Sequence, residues 1–185
     1  MELAGPRDDR LADLLVTTVV GCAWALWGAA GLAPHAGLLV SIAVLVVTAV
    51  LLAGRLVLRR GQPTSVEGAG AVPGSMFRSR PYLLVVAGEV VAIAGGVAVL
   101  TRFELSGYLI EWIAAVVGVH FVLFGRLFSS MFHRLAAIFL GAAAVGVPTA
   151  LLFGTRAGQA TCGLLIGALV LRGAVGGGNR ARVTR

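Results

Sequence analysis

The chain has no lysine: all fifteen of its basic residues are arginine. Charge of either sign is scarce, at 12% of 185 residues, while 58% are hydrophobic. Soluble domains run near roughly 25% charged, so this scarcity excludes an ordinary soluble fold. Cysteine is almost absent. Cys22 and Cys162 both fall inside apolar runs and no C-x-x-C exists, which excludes a dithiol redox site and a zinc knuckle. The pair sits at different expected depths, so two separate buried thiols are expected rather than a disulfide.

Catalytic patterns are missing too. Ser41 has no G-x-S-x context, and His35, His120 and His133 are scattered, with no H-E-x-x-H among them. Glu89 has no neighbouring glutamate, no P-loop or dinucleotide fingerprint occurs, and the Gly176–Gly178 run does not open a helix. No metal site, cofactor or recognisable enzyme chemistry is expected.

What is present is length and apolarity. A bilayer span needs about 20 mainly apolar residues, and six segments qualify: 11–32, 38–58, 82–100, 105–128, 131–153 and 159–175. The expected fold is all-α, a polytopic bundle of six transmembrane helices in three antiparallel hairpins, forming a single transmembrane domain over 1–185. The sixth segment is the weakest, being short and ending in Arg172 and glycines. The Gly/Ser/Pro-rich stretch 59–80 reads as a flexible cytoplasmic loop, and 176–185 as a basic tail. Acids offset the arginines of the first ten residues, and the apolar run behind them is longer than a signal-peptide core, so an uncleaved first helix is expected.

The arginines orient these segments. With the N-terminus inside, thirteen arginines fall on inner segments and only Arg102 and Arg156 on outer loops, a strong positive-inside bias. Trp24, Trp27, Tyr108 and Trp112 then lie toward outer helix ends, where amphipathic rings favour the interface. Both termini are expected in the cytoplasm. The net charge of +7 is thereby explained by membrane topology and not by nucleic acid. Arg55 and Arg126, each in G-R-L near an inner helix end, suggest either a parallel repeat or the same positive-inside bias.

Three ionisable residues sit where lipid would surround them. Glu89 lies roughly 10 Å from the inner end of the third segment, and His120 falls at the same depth in the fourth. A contact between them is the first candidate polar site, since opposite charges offset each other's burial; the other reading is two separate polar contacts that glue helices. Glu111, nearer the outer end, lines up with Ala115, Gly118, Val122 and Gly125 on a packing stripe. It is expected to face a neighbouring helix, Arg102, Arg156 or interfacial water. Polar groups on opposite sides make the fourth helix the expected centre of the bundle.

Small residues at four-residue spacing mark close helix approach: Gly21, Ala25 and Ala29; Gly88, Ala92 and Gly96; Gly118; Gly163 and Gly167. Pro148 lacks the N–H that would bond the Ala144 carbonyl, so a kink is expected there.

The core of the fourth segment, Gly118-Val119-His120-Phe121, is followed by an arginine and preceded by a helix carrying a glutamate. It resembles small bacterial six-helix membrane proteins with G-[LV]-H-F in the same place. Those often continue with L-P where this chain has Val122-Leu123. The resemblance covers the third and fourth helices and implies a membrane fold with no particular activity. The Ala/Gly/Val/Arg-rich composition is similar to that of proteins from high-GC bacteria, which implies a bacterial inner membrane. Two functions remain open: small-solute or proton-linked transport through Glu89 and His120, and a structural or interaction role. The expected partners are the lipid bilayer and a second copy or another membrane protein.

Overall fold

The computed structural model describes residues 6–60 and 79–176, with side chains over 15–54 and 79–173. Most of the loop expected at 59–80 and of the tail at 176–185 lies outside these residues. Six α-helices follow one another: α1 (Pro6–Ala29), α2 (Pro34–Arg60), α3 (Arg80–Arg102), α4 (Leu109–Leu127), α5 (Phe132–Phe153) and α6 (Thr155–Gly176). Among the described residues a 3₁₀ turn, Ser106–Tyr108, precedes α4, and there is no strand.

Local chemistry sets the boundaries. Ser79 caps α3, its Oγ accepting from the Tyr82 N–H at 3.4 Å, with Pro81 in the first turn where its missing N–H costs nothing. α5 stops at Gly154, whose backbone (φ 94°, ψ 156°) is open essentially to glycine alone. That one residue joins α5 to α6. Thr155–Gly158, expected to be loop, is therefore the first turn of α6. The fourth helix begins at Leu109 and not at Leu105, because Glu104 takes a left-handed turn (φ 59°) and the 3₁₀ turn intervenes.

Four helical segments are long and apolar enough to cross a membrane: Pro34–Gly54, Arg80–Arg102, Ser106–Leu127 and Phe132–Phe153. The described apolar part of α1, Leu15–Ala29, is shorter. α6 is the most interior helix. It packs against α1 on one side and α5 on the other, and it also touches α4. α4 lies between α5 and α3, and α2 leans on α1. The bundle is thus centred on α5 and α6, and not on α4. A helix that packs much of its surface against other helices has less need of a uniformly apolar surface, which fits the Thr-, Gln- and Gly-containing sixth segment.

The core joins Ile110 and Ala114 of α4, Phe139, Ala142 and Ala143 of α5, and Cys162, Ile166 and Val170 of α6. Trp24 of α1 closes it, edge-on to Phe139 at 5.2 Å. At the α1–α6 crossing the backbones themselves touch. A Cβ built on Gly28 would stand 2.6 Å from the backbone nitrogen of Leu164, and one on Gly163 would stand 2.6 Å from Cα of Gly28. Gly21 meets Val170 and Leu171, and Gly167 meets Ala25, so the two helices run antiparallel. The Gln159 amide fastens the same seam by donating to the Trp27 carbonyl at 3.1 Å. α5 continues as one helix through Pro148. Beside the proline, the Thr149 hydroxyl donates to the Val145 carbonyl at 2.8 Å.

Candidate polar sites on the fourth helix

α3 and α4 run antiparallel in a register set by aromatic contacts. At one end Tyr82 stacks on Phe124, ring centroids 5.4 Å apart. At the other the Trp112 indole N–H donates to the Ala92 carbonyl at 3.3 Å. The indole fills the space over Gly96, where no Cβ could be placed. Between these anchors, His120 Nδ1 lies 3.0 Å from Glu89 Oε2. The structure therefore brings these two residues together. The approach is close, but it lacks hydrogen-bond alignment, so Nδ1 gains charge proximity without a directed bond.

The surroundings of the pair are largely aromatic. The His120 ring rests 4.0 Å from Phe124 and stands edge-on to Phe121 at 5.6 Å. The backbone of Val85 faces it from α3. His120 is 8% exposed and Glu89 21%, so the carboxylate forms the outward half of the contact.

Glu111 occupies the other side of α4. It is 2% exposed, and its carboxyl oxygens have no hydrogen-bond partner on any other residue, only the residue's own backbone amide close by. Neither Arg102 nor Arg156 forms an ion pair with it among the described residues, and its burial keeps it from interfacial water. Glu111 faces neighbouring helices, as its stripe suggests, and meets glycine there in place of the arginines or water. A Cβ on Gly158 would stand 2.8 Å from Glu111 Oε1, and one on Gly146 would stand 3.0 Å from its Cγ. The side chain fits because α5 and α6 each present hydrogen in place of a methyl group. Gly118 and Gly125, on the same stripe, meet Leu140 and His133 of α5.

Of the other small residues marked for packing, Gly163 and Gly167 lie against α1, while Gly88 has nothing within 4 Å of its would-be Cβ. The expected packing role of Gly88 is therefore corrected. α3 has no buried residue and meets α4 through the Glu89, Ala92 and Gly96 side, turning Gly88 outward. Gly146 belongs to the run of small residues 141–146 that the sequence offers for packing, whereas Gly28 and Gly158 went unmarked. Gly28 lies three residues beyond Ala25 in an otherwise four-spaced stripe, and Gly158 has no neighbour at regular spacing that singles it out.

Among the described residues no three His, Cys, Asp or Glu side chains gather as a metal site would require. Cys162 is buried behind Gly146 and Cys22 is half-buried, both as free thiols. Compared with protein-family models, curated proteins and solved structures, the chain finds no match in any of the three.

Proposed function

We propose that this chain is a small integral membrane protein of a bacterial cytoplasmic membrane, with both termini inside, and that it carries out small-solute or proton-linked transport. Its six helices span the bilayer as three antiparallel hairpins. Thirteen arginines on one side against two on the other support the orientation. The observation that carries the transport reading is the 3.0 Å contact of His120 with Glu89. Ionisable side chains within spans are expensive, and they concentrate on substrate, ion and proton pathways. In this pair one proton can reside on either partner, giving an ion pair or a neutral pair. Glu89, the more exposed partner, exchanges that proton with the surroundings, and His120 holds it inside.

A flux assay tests this directly. Protein reconstituted in liposomes with an internal pH-sensitive dye is driven by a potassium-diffusion potential. Wild type should carry protons above the empty-vesicle rate, and Glu89→Gln and His120→Ala should fall to that rate. Equal flux in all three proteins, or none in any, refutes the reading.

A second reading has its own observation. The backbone contact of Gly28 with Gly163 makes a tightly closed seam, and α3 leaves Gly88 and Gly95 uncovered. In that case the chain is a structural or interaction protein, binding lipid or a partner helix, and Glu89–His120 is polar glue. Absence of flux together with specific cross-linking through Gly88→Cys would select this reading.

A further inference from the structure

A groove of about 500 Å³ runs along the bundle between α2 and α6, with the buried Ala25 of α1 at its floor. α1 runs opposite to both of these helices, so α2 and α6 are parallel and their C-terminal halves share one end. On α2 the lining extends from Val40 to Leu51, and on α6 from Leu164 to Arg172. At about 1.5 Å per residue the groove is about 16 Å long, close to one leaflet of a hydrocarbon core about 30 Å thick. Its lining is apolar except for Arg172, which stands at the end toward the helix C-termini. Arg172 is exposed and forms no ion pair among the described residues. On α2, Arg55 follows Leu51 by one turn at the same end.

We propose that this groove holds an acyl chain of an anionic phospholipid, its phosphate against Arg172 and the Arg55 position adding a second positive charge at that end. Shape and charge both select this occupant. About 500 Å³ spread over about 16 Å leaves a mean section of about 30 Å². A helix about 10 Å across occupies about 80 Å², so a partner helix does not enter, whereas a hydrocarbon chain does. Arginine lays its stem along apolar surface and holds its head in the polar layer. There the guanidinium suits phosphate, to which it donates paired hydrogen bonds. A zwitterionic headgroup brings a cation of its own to the same place, and a cationic amphiphile is repelled. Under the orientation proposed above this end faces the cytoplasm, whose leaflet carries anionic lipid.

The site rests on the membrane placement that both readings above share, and it gives the lipid-binding reading a headgroup class. Native mass spectrometry of the detergent-purified chain measures it, with dioleoyl phosphatidylglycerol and dioleoyl phosphatidylcholine titrated separately. An arginine near an anionic headgroup is worth about fivefold in affinity. The first phosphatidylglycerol should therefore bind at least about fivefold more tightly than phosphatidylcholine. Arg172→Gln should weaken it about fivefold, Arg172→Lys should keep most of the preference, and Arg55→Gln with Arg172→Gln should abolish it. Ala43→Phe, which fills the groove from an exposed position on α2, should weaken both lipids. Gly88→Ala should bind as wild type does. Equal binding of the two lipids to wild type, an undiminished preference in the double variant, or unchanged binding in Ala43→Phe overturns the proposal. So does displacement of the lipid by glycerol 1-phosphate, which would mark a phosphate site with no need of a chain. Washing membranes with alkaline carbonate separates the two failures. Release of the protein overturns the membrane placement and the site with it; retained protein without the preference overturns the site alone.

Discussion

Adding one methyl group to a glycine should have opposite effects at Gly28 and Gly88, although both lie in apolar helices. In water-based scales alanine is favoured over glycine in a helix by about 1 kcal/mol. At Gly88 nothing stands within 4 Å of the new Cβ, so Gly88→Ala should be neutral or stabilising by up to about 1 kcal/mol. At Gly28 the new Cβ would lie 2.6 Å from the Leu164 nitrogen and 2.8 Å from the Gly163 carbonyl carbon. Ordinary contact begins near 3.4 Å, leaving a shortfall of 0.8 Å against backbone atoms that have no rotamer to escape into. α1 and α6 must separate, loosening Gly21, Ala25 and Gly167 along the same seam. Overpacking of this kind costs about 1–3 kcal/mol. The upper part of that range applies, and after the propensity gain the net loss is about 1–2 kcal/mol. Reversible SDS unfolding in mixed micelles, read by tryptophan fluorescence, measures both variants against wild type. Gly28→Ala combined with Gly163→Ala should cost less than the sum of the singles, because the first methyl already parts the helices. If Gly28→Ala and Gly88→Ala shift the midpoint equally and in the same direction, the backbone contact between α1 and α6 is wrong.

Two further substitutions follow from the same geometry. Glu111→Met replaces a buried carboxyl that no other residue partners by an apolar chain of similar length, and should raise stability by about 1–3 kcal/mol in the same titration. A less stable Met variant would show that the carboxyl has a partner. Gly154→Ala meets no atom within 4 Å, yet forces alanine into a backbone conformation reserved for glycine, and should cost about 1–3 kcal/mol. An unchanged midpoint would show that the α5–α6 link relaxes freely.

Much of the candidate site could be located on paper. The rise per residue sets Glu89 and His120 on a level across consecutive antiparallel helices, and the spacing Glu111, Ala115, Gly118 assigns the glutamate to a packing face. The lack of a partner for Glu111 on any other residue was not legible. It depends on Gly146 and Gly158 arriving from two other helices, and nothing in the spacing of either ties it to Glu111. The Trp112 indole over Gly96 was equally hidden, since a tryptophan near a helix end reads as an interfacial anchor whichever way it points.

The sequence by itself determined that the chain is helical and apolar: long apolar runs without strand patterning, which the structure shows as helices, four of them long and apolar enough to cross a membrane. Only the tertiary structure decided which helix lies inside. α6 is not among the described helices apolar enough to span, yet it packs against α1, α5 and α4; α3 is strongly apolar, and none of its residues is buried. The reason is physical. Lipid tails and protein interiors are about equally apolar, so hydropathy does not distinguish a face turned to lipid from one turned to another helix. That distinction rests on the fit of small residues against particular neighbours, as Gly28 fits Gly163 and Gly88 fits nothing.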